Sequence, residues 1–496
     1  MDGHSMMNRL LLAAILLVAF AVRLPGLRAG MPCYIAPNEA EIMAVASGIF
    51  KGDLNPHNWW WGSLYFYVNA LIIAVTHATR IGLSILHLTD LTSTPYWWFF
   101  VASRLVNVVF AATSVYFIYR IGLLLGTRTL GLLSAGICAV MPAHFSISPE
   151  MKPDVLMLML ITVESYCALR AYVKHSHSGK WLLAAAACSG LALGTKYVFV
   201  APITWVCAKW LRDRRDGLPF FNRELIMAGL CSIAGFFLAS PFALICPLEF
   251  IGGTLFQNSE YSNGHPGADS MPSALFFVKY LFLQGLTPAL FCAALVGVVA
   301  MVRHRRGGAL AIIAAAPVAW AAVLSTYTIN FPHHTALLSI PASIAAAWLL
   351  CNTRQLWFAA LLGAAVVVQP AIAAATSMAV RSRPDIRIAA AEWIDRNLPH
   401  GSSIAREDYT PFVSGSKFRC TYIGICGSAY FDADSARRAG YDFIMTASHD
   451  RFFSRPAQYG REIRNYEEQL RQFTCVKRFD PGKRYRGTAI TILKVR

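Results

Sequence analysis

Charged residues are scarce in this sequence: Asp, Glu, Lys and Arg make up 14% of its 496 residues, whereas hydrophobic residues make up 56%. About a quarter of the residues of a soluble domain are normally charged, so this composition argues against one. Acidic residues are the scarcest, with 27 Asp+Glu against 44 Lys+Arg and a net charge of +17. The basic residues form short clusters between apolar runs, which is typical of cytoplasmic loops near anionic lipid rather than of a nucleic-acid-binding surface. We therefore expect a polytopic membrane protein that contacts membrane lipids and no nucleic acid.

Several other features are missing from the sequence. No Cys-x-x-Cys pair suggests a zinc site, and no internal repeat or low-complexity tract is evident. The first apolar run has no clear small-residue cleavage site and more runs follow, so we expect no cleaved signal peptide. Most of the 12 cysteines lie in apolar runs and are interpreted as small buried hydrophobes. Cys420 and Cys426 lie in the polar C-terminal part and could form a disulfide if that part is periplasmic.

Apolar runs occupy most of the first 377 residues, and basic clusters orient them. The runs are 9–27, 64–87, 99–124, 129–147, 154–173, 181–195, 197–211, 223–245, 281–302, 309–326, 334–350 and 355–377. A span needs roughly 20 residues, so not every run has to cross the bilayer. If the clusters at 174–180, 212–216 and 303–306 are cytoplasmic, alternation predicts about eleven spans with the C-terminal part outside. The same alternation keeps 64–87 outside, as an interfacial or re-entrant helix.

The composition changes near residue 380. Residues 384–397 have the pattern of an amphipathic helix that ends at Leu398-Pro399. The segments 402–407, 441–447 and 489–495 have the pattern of strands. The sequence therefore predicts a membrane domain over 1–379 and a small C-terminal α/β domain over 380–496, which we expect to be periplasmic.

The predicted topology gathers ionisable and aromatic residues at the outer face. They are Glu39, Glu41, Glu150, Lys152, Asp154, Lys196, Tyr197, His265 and His334, with Tyr65 in the run beside them. Each also has a structural interpretation. Asn38 and Glu41 fit a capping box at a helix start, Asp154 after Pro153 fits another helix start, and Lys196 could extend its ammonium group toward water. The functional interpretation depends on their convergence from separate loops.

Several segments resemble a known family. APNEAEIMAVASGIFKGDLNPHNWWWGSLYFYV (36–68) resembles the first outer loop of GT-C fold glycosyltransferases, which are related to protein O-mannosyltransferases and aminoarabinose transferases. SRLVNVVFAATSVYFIYRIGLLLG, SPEMKPDV, GLALGTKYVFV, SEYSNGHPG and RIAAAEWIDRNLPHGSSI resemble later blocks in the same order. The resemblance implies the GT-C fold and an inverting glycosyltransferase at the outer face of the bacterial inner membrane. Its donor would be a polyprenyl-phosphate sugar, and its acceptor a hydroxyl group of a lipid, glycan or protein.

The family pattern also implies roles for individual residues. The acceptor hydroxyl needs a carboxylate base, and the resemblance assigns it to Glu39, with Glu41 as the alternative and Asp154 as a second carboxylate. The leaving lipid phosphate needs positive charge, for which Lys196 is the first candidate, with Lys152, His265 or His334 beside it. Tyr197 and Tyr65 complete the predicted substrate-binding set. No metal is expected to be required, although Mg²⁺ or Mn²⁺ could assist.

Two departures and three alternative functions stay open, and one of these functions is a non-catalytic binding protein, which Asn38 suggests. Asn38 replaces the first acidic residue of the family's pair, and His334-Thr335 replaces an arginine–tyrosine pair. A neutral amide cannot take up a proton at working pH, so the base has shifted, has been replaced or has been lost. A polyprenyl-linked glycan ligase or polymerase would normally use a large outer loop rich in arginine, and 246–280 contains none. A lipid or sugar transporter would place ionisable residues near mid-membrane, often in two repeated halves.

Overall fold

The computed structural model describes residues 3–34, 36–85, 96–174, 177–264, 266–268, 271–430, 432–447 and 449–495. The chain divides into two compact units. The first unit comprises Met1–Leu27, Ile42–Ser262 and Pro272–Met378, and the second comprises Arg28–Glu41, Asn263–Met271 and Ala379–Arg496. The C-terminal part of the second unit starts next to the predicted boundary after residue 379. Two segments from earlier in the chain join it, which a composition change near residue 380 could not reveal.

The first unit is built from helices. In chain order they are α1 (Gly3–Ala21), α2 (Pro37–Phe50, whose first five residues belong to the second unit), α3 (Leu64–Ile85), α4 (Trp98–Leu125), α5 (Arg128–Val140), α6 (Pro142–Phe145), α7 (Pro153–Val173), α8 (Ser178–Lys196), α9 (Ile203–Asp216), α10 (Arg223–Ala239), α11 (Phe242–Ile245), α12 (Pro247–Asn263), α13 (Ser273–Tyr280), α14 (Pro288–Arg303), α15 (Gly307–Leu324), α16 (Ser339–Asn352) and α17 (Leu356–Arg381). A π-helix at Leu281–Gly285 and a 3₁₀-helix at Pro332–Leu338 precede α14 and α16. The predicted helical membrane architecture is confirmed.

Six helices in the described part of the chain are long and apolar enough to cross a membrane, or seven if a bent pair is counted as one span. The prediction of about eleven spans is therefore not confirmed. Residues Leu64–Gly82 of α3 are among the six, so the interfacial placement of 64–87 is not confirmed either. The apolar run 281–302 is not one straight helix, since the backbone bends by 115° between Ser273–Gly285 and Pro288–Arg303. Thr287 has a positive φ of 73° and Pro288 opens the next helix, which explains the break.

Helix α7 lies at the centre of the first unit. It packs against α4, α8 and α9, and most of its residues are buried. Helix α8 also packs closely against α10, where a Cβ added at Gly190 would overlap the carbonyl oxygen of Ser232. Glycine is required for this approach of two backbones. This packing fixes the N-terminal end of α7 and the C-terminal end of α8, which carry Asp154 and Lys196.

The second unit contains a five-stranded mixed sheet. Its elements are α18 (Ile386–Asn397), β1 (Ser403–Arg406), β2 (Arg419–Tyr422), α19 (Ala433–Arg438), β3 (Phe443–Ala447), α20 (Gly460–Gln472), β4 (Thr474–Phe479) and β5 (Ile490–Lys494). The strand order is β2-β1-β3-β5-β4, with β2, β1 and β3 parallel and the β3–β5 and β5–β4 pairs antiparallel. The predicted helix at 384–397 and the three predicted strands are confirmed.

Alternating side chains of the central strands fill the core on both faces of this sheet. Ile404, Phe443 and Met445 pack with Ile394 and Leu398 on the face covered by α18. Their neighbours along the strands pack on the other face, in a cluster that consists of Ala405, Ala433, Ala436, Ile444, Phe473, Leu493 and Val495. This period of two is the normal geometry of a strand with both faces covered. Cys420 is exposed on β2 and Cys426 is buried, and neither is joined to another cysteine, so the suggested disulfide is not observed.

Candidate functional site

A buried ion pair joins the ends of two helices in the first unit. Pro153 is the first residue of α7 and Asp154 lies in its first turn, as the sequence predicts. Lys196 is the last residue of α8, and its Nζ bonds the Oδ1 of Asp154. The two side chains are only 6% and 4% exposed. The expectation that Lys196 extends toward water is therefore wrong, because its ammonium group is neutralised inside the protein by Asp154.

More cationic or protonatable side chains surround this pair. Lys152 pairs with the Oε2 of Glu150 at 2.7 Å and interacts electrostatically with Lys196. His333 and His334 both interact electrostatically with Lys152 and Lys196. We call Lys152, Lys196, His333 and His334 the lysine–histidine cluster. The cluster brings together three of the predicted phosphate-binding residues.

His334 is the member of the cluster whose hydrogen-bonding capacity is unused. It is 3% exposed, and neither Nδ1 nor Nε2 has a hydrogen-bond partner. Its ring stacks on Tyr261 with 5.8 Å between centroids, and the ring of His333 lies 4.7 Å away. Buried polar groups are nearly always hydrogen-bonded in native structures, so an orphaned imidazole beside two lysines indicates a place for a ligand acceptor atom.

Asn107 of α4 fixes the loop that carries Lys152. Its Nδ2 donates to the carbonyl oxygens of Glu150 at 2.6 Å and Lys152 at 3.2 Å, and to the hydroxyl oxygen of Tyr65 at 3.0 Å. Tyr65 is thereby linked to the same loop and is 2% exposed. Sequence reasoning missed Asn107, whose only signal is a polar amide inside the apolar run 99–124. We assign it the positioning of Lys152 and Tyr65.

The segment after the three tryptophans packs against the end of α8. Tyr197 caps α8 with a left-handed backbone at φ 50°, and its hydroxyl donates to the carbonyl oxygen of Trp61 at 3.0 Å. A Cβ added at Gly62 would overlap the carbonyl oxygen of Gly194, so only glycine permits this approach. Tyr197, predicted as a substrate ligand, is 4% exposed. Its observed contact positions the turn that carries Lys196.

The predicted carboxylate bases belong to the second unit. Helix α2 begins at Pro37, and the backbone N–H groups of Glu39 and Ala40 donate to the carbonyl oxygen of Ala36. The predicted capping role of Asn38 is therefore wrong: proline occupies the first helical position, and Asn38 lies inside the first turn. Glu39 is 2% exposed and interacts electrostatically with Tyr34. The assignment of Glu39, with Glu41 as the alternative, stays a prediction, and His265 lies outside the described residues.

Metal-binding geometry is not evident in the described ranges. No group of three or more His, Cys, Asp or Glu residues there could hold a metal ion. The carboxylate of Asp154 already faces the ammonium group of Lys196, which would compete with a divalent cation. A metal ligand role for Asp154 therefore does not fit the observed pairing, and we derive no step through a metal. Whether Mg²⁺ or Mn²⁺ assists stays a prediction.

The comparisons with known proteins agree with this architecture. Residues 99–214 match the family model of dolichyl-phosphate-mannose-protein mannosyltransferases. No curated protein matches the chain. Archaeal oligosaccharyltransferase AglB from Archaeoglobus fulgidus, in complex with an inhibitory peptide and a dolichol-phosphate, is 12% identical with a TM-score of 0.58, over 90% of this chain and 70% of AglB. ArnT from Cupriavidus metallidurans, bound to undecaprenyl phosphate, is 13% identical with a TM-score of 0.52, over 100% of this chain and 99% of ArnT.

Proposed function

We propose that this chain, which has the GT-C glycosyltransferase fold as its sequence predicts, is an inverting transferase that uses a polyprenyl-phosphate sugar. The donor we propose is an undecaprenyl-phosphate sugar, and the acceptor is a hydroxyl group at the periplasmic face of a bacterial inner membrane. The observation that carries the proposal is the lysine–histidine cluster with its orphaned imidazole. That AglB and ArnT were solved with a lipid phosphate bound supports the choice of donor.

The proposed reaction requires positive charge at the leaving group. The acceptor oxygen forms a bond to the anomeric carbon, while the bond between that carbon and the phosphate oxygen breaks. The phosphate oxygen keeps the electron pair, so negative charge grows on the lipid phosphate. Lys196 and Lys152 stabilise that charge, and His334 donates a hydrogen bond from one ring nitrogen. Such pre-positioned donors act on charge that develops in the transition state, and removing one typically costs about 10²–10³ in rate.

Asp154 is suited to a positioning role rather than to proton abstraction. Its carboxylate is engaged by the ammonium group of Lys196 and buried at the start of α7, where the helix dipole also favours its charge. We assign it the placement of Lys196. The base that accepts the proton of the acceptor hydroxyl is then Glu39 by resemblance, with Glu41 as the alternative.

The test is sugar transfer by the full-length protein purified in detergent. A panel of radiolabelled undecaprenyl-phosphate sugars is incubated with total membrane lipid extract, and labelled products are separated from the donor. We expect transfer with one donor, a loss of at least about 10²-fold in Lys196→Met, and activity close to wild type in Lys180→Met, which removes an exposed lysine from the other end of α8. Equal activity in Lys196→Met and Lys180→Met would contradict the assignment of Lys196.

The same assay examines the base. Glu39→Gln is isosteric and keeps the buried environment, so loss of transfer in a variant that still melts like wild type supports Glu39. Asn38→Asp restores the acidic residue that the family pattern has, and we expect it to be at least as active as wild type. Full activity in Glu39→Gln would transfer the role to Glu41.

A further inference from the structure

A cavity of about 230 Å³ lies within the second unit. Its walls carry four aromatic rings and one residue of each charge: Tyr34, Tyr409, Phe412, Tyr422, Arg406 and Asp408. The first turn of α2 closes one side. Pockets for drug-sized ligands measure roughly 300–1,000 Å³, so this cavity suits a smaller group, of the size of one sugar ring. None of these six residues has a role in the reaction proposed above. Glu39, the proposed base, interacts electrostatically with one of them, Tyr34.

Guanidinium groups lie against two of the four aromatic rings. The guanidinium carbon of Arg387 lies 3.4 Å from the centroid of the Tyr34 ring, and Arg387 is itself held by two 2.6 Å bonds to Asp385. Arg451 lies 4.4 Å from the ring of Tyr409. Such cation–π contacts are attractive and orient the rings. These contacts restrain the rings of Tyr34 and Tyr409 in the cavity wall.

The backbone supports the same walls. Phe412 N–H donates to the carbonyl oxygen of Cys33 at 2.7 Å, which ties the segment before Tyr34 to the loop after β1. Tyr409 has a φ of 65°, in the left-handed region that a tyrosine rarely occupies. Strained conformations of this kind cluster at ligand sites, where the surrounding structure maintains them. Here the strain places the ring of Tyr409 in the cavity wall.

The polar groups of the cavity balance each other. Arg406 lies 4.6 Å from the ring of Phe412 and 5.5 Å from that of Tyr422, and the Tyr422 hydroxyl donates to Oδ2 of Asp408 at 2.6 Å. The guanidinium group of Arg406 and the carboxylate of Asp408 leave the residues that line the cavity without a net charge, which suits an uncharged ligand. Burial raises the pKa of Tyr34 and of Tyr422, so both phenols stay protonated donors at neutral pH. Flat aromatic faces, one strong donor group and one strong acceptor group match an uncharged ring that carries several hydroxyls.

We propose that this cavity binds an uncharged, polyhydroxylated ring of monosaccharide size, and that this ring belongs to the acceptor. The inference rests on the proposed transferase function. Pro37 and Ala40 line the cavity and flank Glu39 in the first turn of α2. A ring held there lies beside the turn that carries the proposed base, which has to reach a hydroxyl of the acceptor. The second unit is thereby assigned a role in acceptor recognition.

The first test measures binding without turnover. Saturation-transfer NMR is recorded on the full-length protein with the methyl glycosides of glucose, galactose and mannose, and with inositol as a second uncharged polyol. We expect a signal from at least one probe, reduced about tenfold in Asp408→Asn and in Tyr422→Leu, as loss of one charge-assisted bond or one stacking face predicts. Phe453→Leu is the matched control, because Phe453 is 52% exposed and Tyr422 55% exposed in the same unit. Absence of signal from every probe, or equal signals in wild type and both cavity variants, would overturn the proposal.

The second test separates acceptor from donor. With the donor and acceptor found in the transfer assay, Asp408→Asn and Tyr422→Leu should raise the KM for the acceptor about tenfold and change the KM for the donor much less. A rise confined to the donor KM would assign the cavity to the donor sugar and overturn the acceptor assignment. Because the NMR arm needs no turnover, probe binding that the cavity variants lose would support the cavity even if no donor were used. In that case the transferase proposal and the acceptor assignment would fail, and the binding of the ring in the cavity would stand.

Discussion

The ion pair between Lys196 and Asp154 gives the sharpest prediction on stability. Replacing Lys196 by Met leaves the carboxylate of Asp154, whose side chain is 4% exposed, without its partner. Replacing Asp154 by Leu likewise leaves the ammonium group of Lys196, whose side chain is 6% exposed, without its partner. Breaking a buried pair in this way typically costs about 3–5 kcal/mol, whereas replacing both partners by apolar residues is often neutral. We therefore expect each single variant to be strongly destabilised and the double variant to recover most of the loss.

The assay is thermal unfolding of the full-length protein in one detergent, at fixed protein and lipid concentrations. We expect the single variants to melt several degrees below wild type, and the double variant to melt above either of them. Lys152→Met is the control, because the pair of Lys152 with Glu150 is 24% and 49% exposed and such pairs contribute about 0–1 kcal/mol. Sugar transfer should stay lost in the double variant, since its stability returns but its cation does not.

Two results would refute this reasoning. If the fall in melting temperature of the double variant equals the sum of the falls in the two single variants, the two residues act independently. Their ion pair is then not the relevant interaction. If the double variant regains both stability and transfer, the charge of Lys196 has no role at the lipid phosphate.

The remaining predictions concern the loop beside α8 and the second unit. Gly62→Ala should reduce transfer because its Cβ pushes the segment away from the end of α8, whereas Gly229→Ala, with nothing within 4 Å of its added Cβ, should leave transfer unchanged in the same assay. Glu407 is fully buried and accepts hydrogen bonds from Ser428 N–H at 2.9 Å and Ala447 N–H at 2.8 Å. One buried polar group that loses its partner costs roughly 1–3 kcal/mol. Because Glu407→Ala leaves several such groups, it should lower the free energy of unfolding by several times that amount. Glu467 is half-exposed, so Glu467→Ala should leave the free energy of unfolding nearly unchanged. Thermal melting or limited proteolysis of both variants measures the difference. Burial raises the pKa of the Asp408 carboxyl group above 3.8. Between pH 3.8 and that higher pKa, the folded chain keeps a proton that the unfolded chain has released, so the free energy of unfolding falls as pH rises through this interval. Melting curves at several pH values above 3.8 should therefore show the stability of Asp408→Asn increasing relative to that of wild type as pH rises.

The elements that the sequence predicted well are those with a strong periodic or apolar signal. Strands β1, β3 and β5 lie inside the sheet with both faces covered, so apolar residues form most of β3 and β5 and the centre of β1. Strands β2 and β4 were missed because they lie at the two edges of the sheet and expose most of their side chains. The break between Gly285 and Pro288 was also missed, because hydropathy along an apolar run carries no information on backbone direction.

The candidate site was only partly predictable for a related reason. Alternation of spans placed Asp154 and Lys196 at the same face. The two residues are 42 positions apart in the chain, and their bond depends on how α7 packs against α8. The only signal of Asn107 is an amide inside an apolar run, and such an amide is compatible with many roles. The aromatic cavity combines Tyr34 with residues near 410 and 422, a pairing that no local pattern contains.

The central claim is that the lysine–histidine cluster holds a lipid phosphate, and the most direct measurement is the binding of undecaprenyl phosphate to the purified full-length protein. Native mass spectrometry across a lipid titration would give the affinity of wild type, Lys196→Met, His334→Phe and the control Lys180→Met. We predict that Lys196→Met and His334→Phe each weaken binding about tenfold or more, as loss of one charge-assisted hydrogen bond implies, while Lys180→Met binds like wild type. Equal affinity in all four proteins would contradict the account.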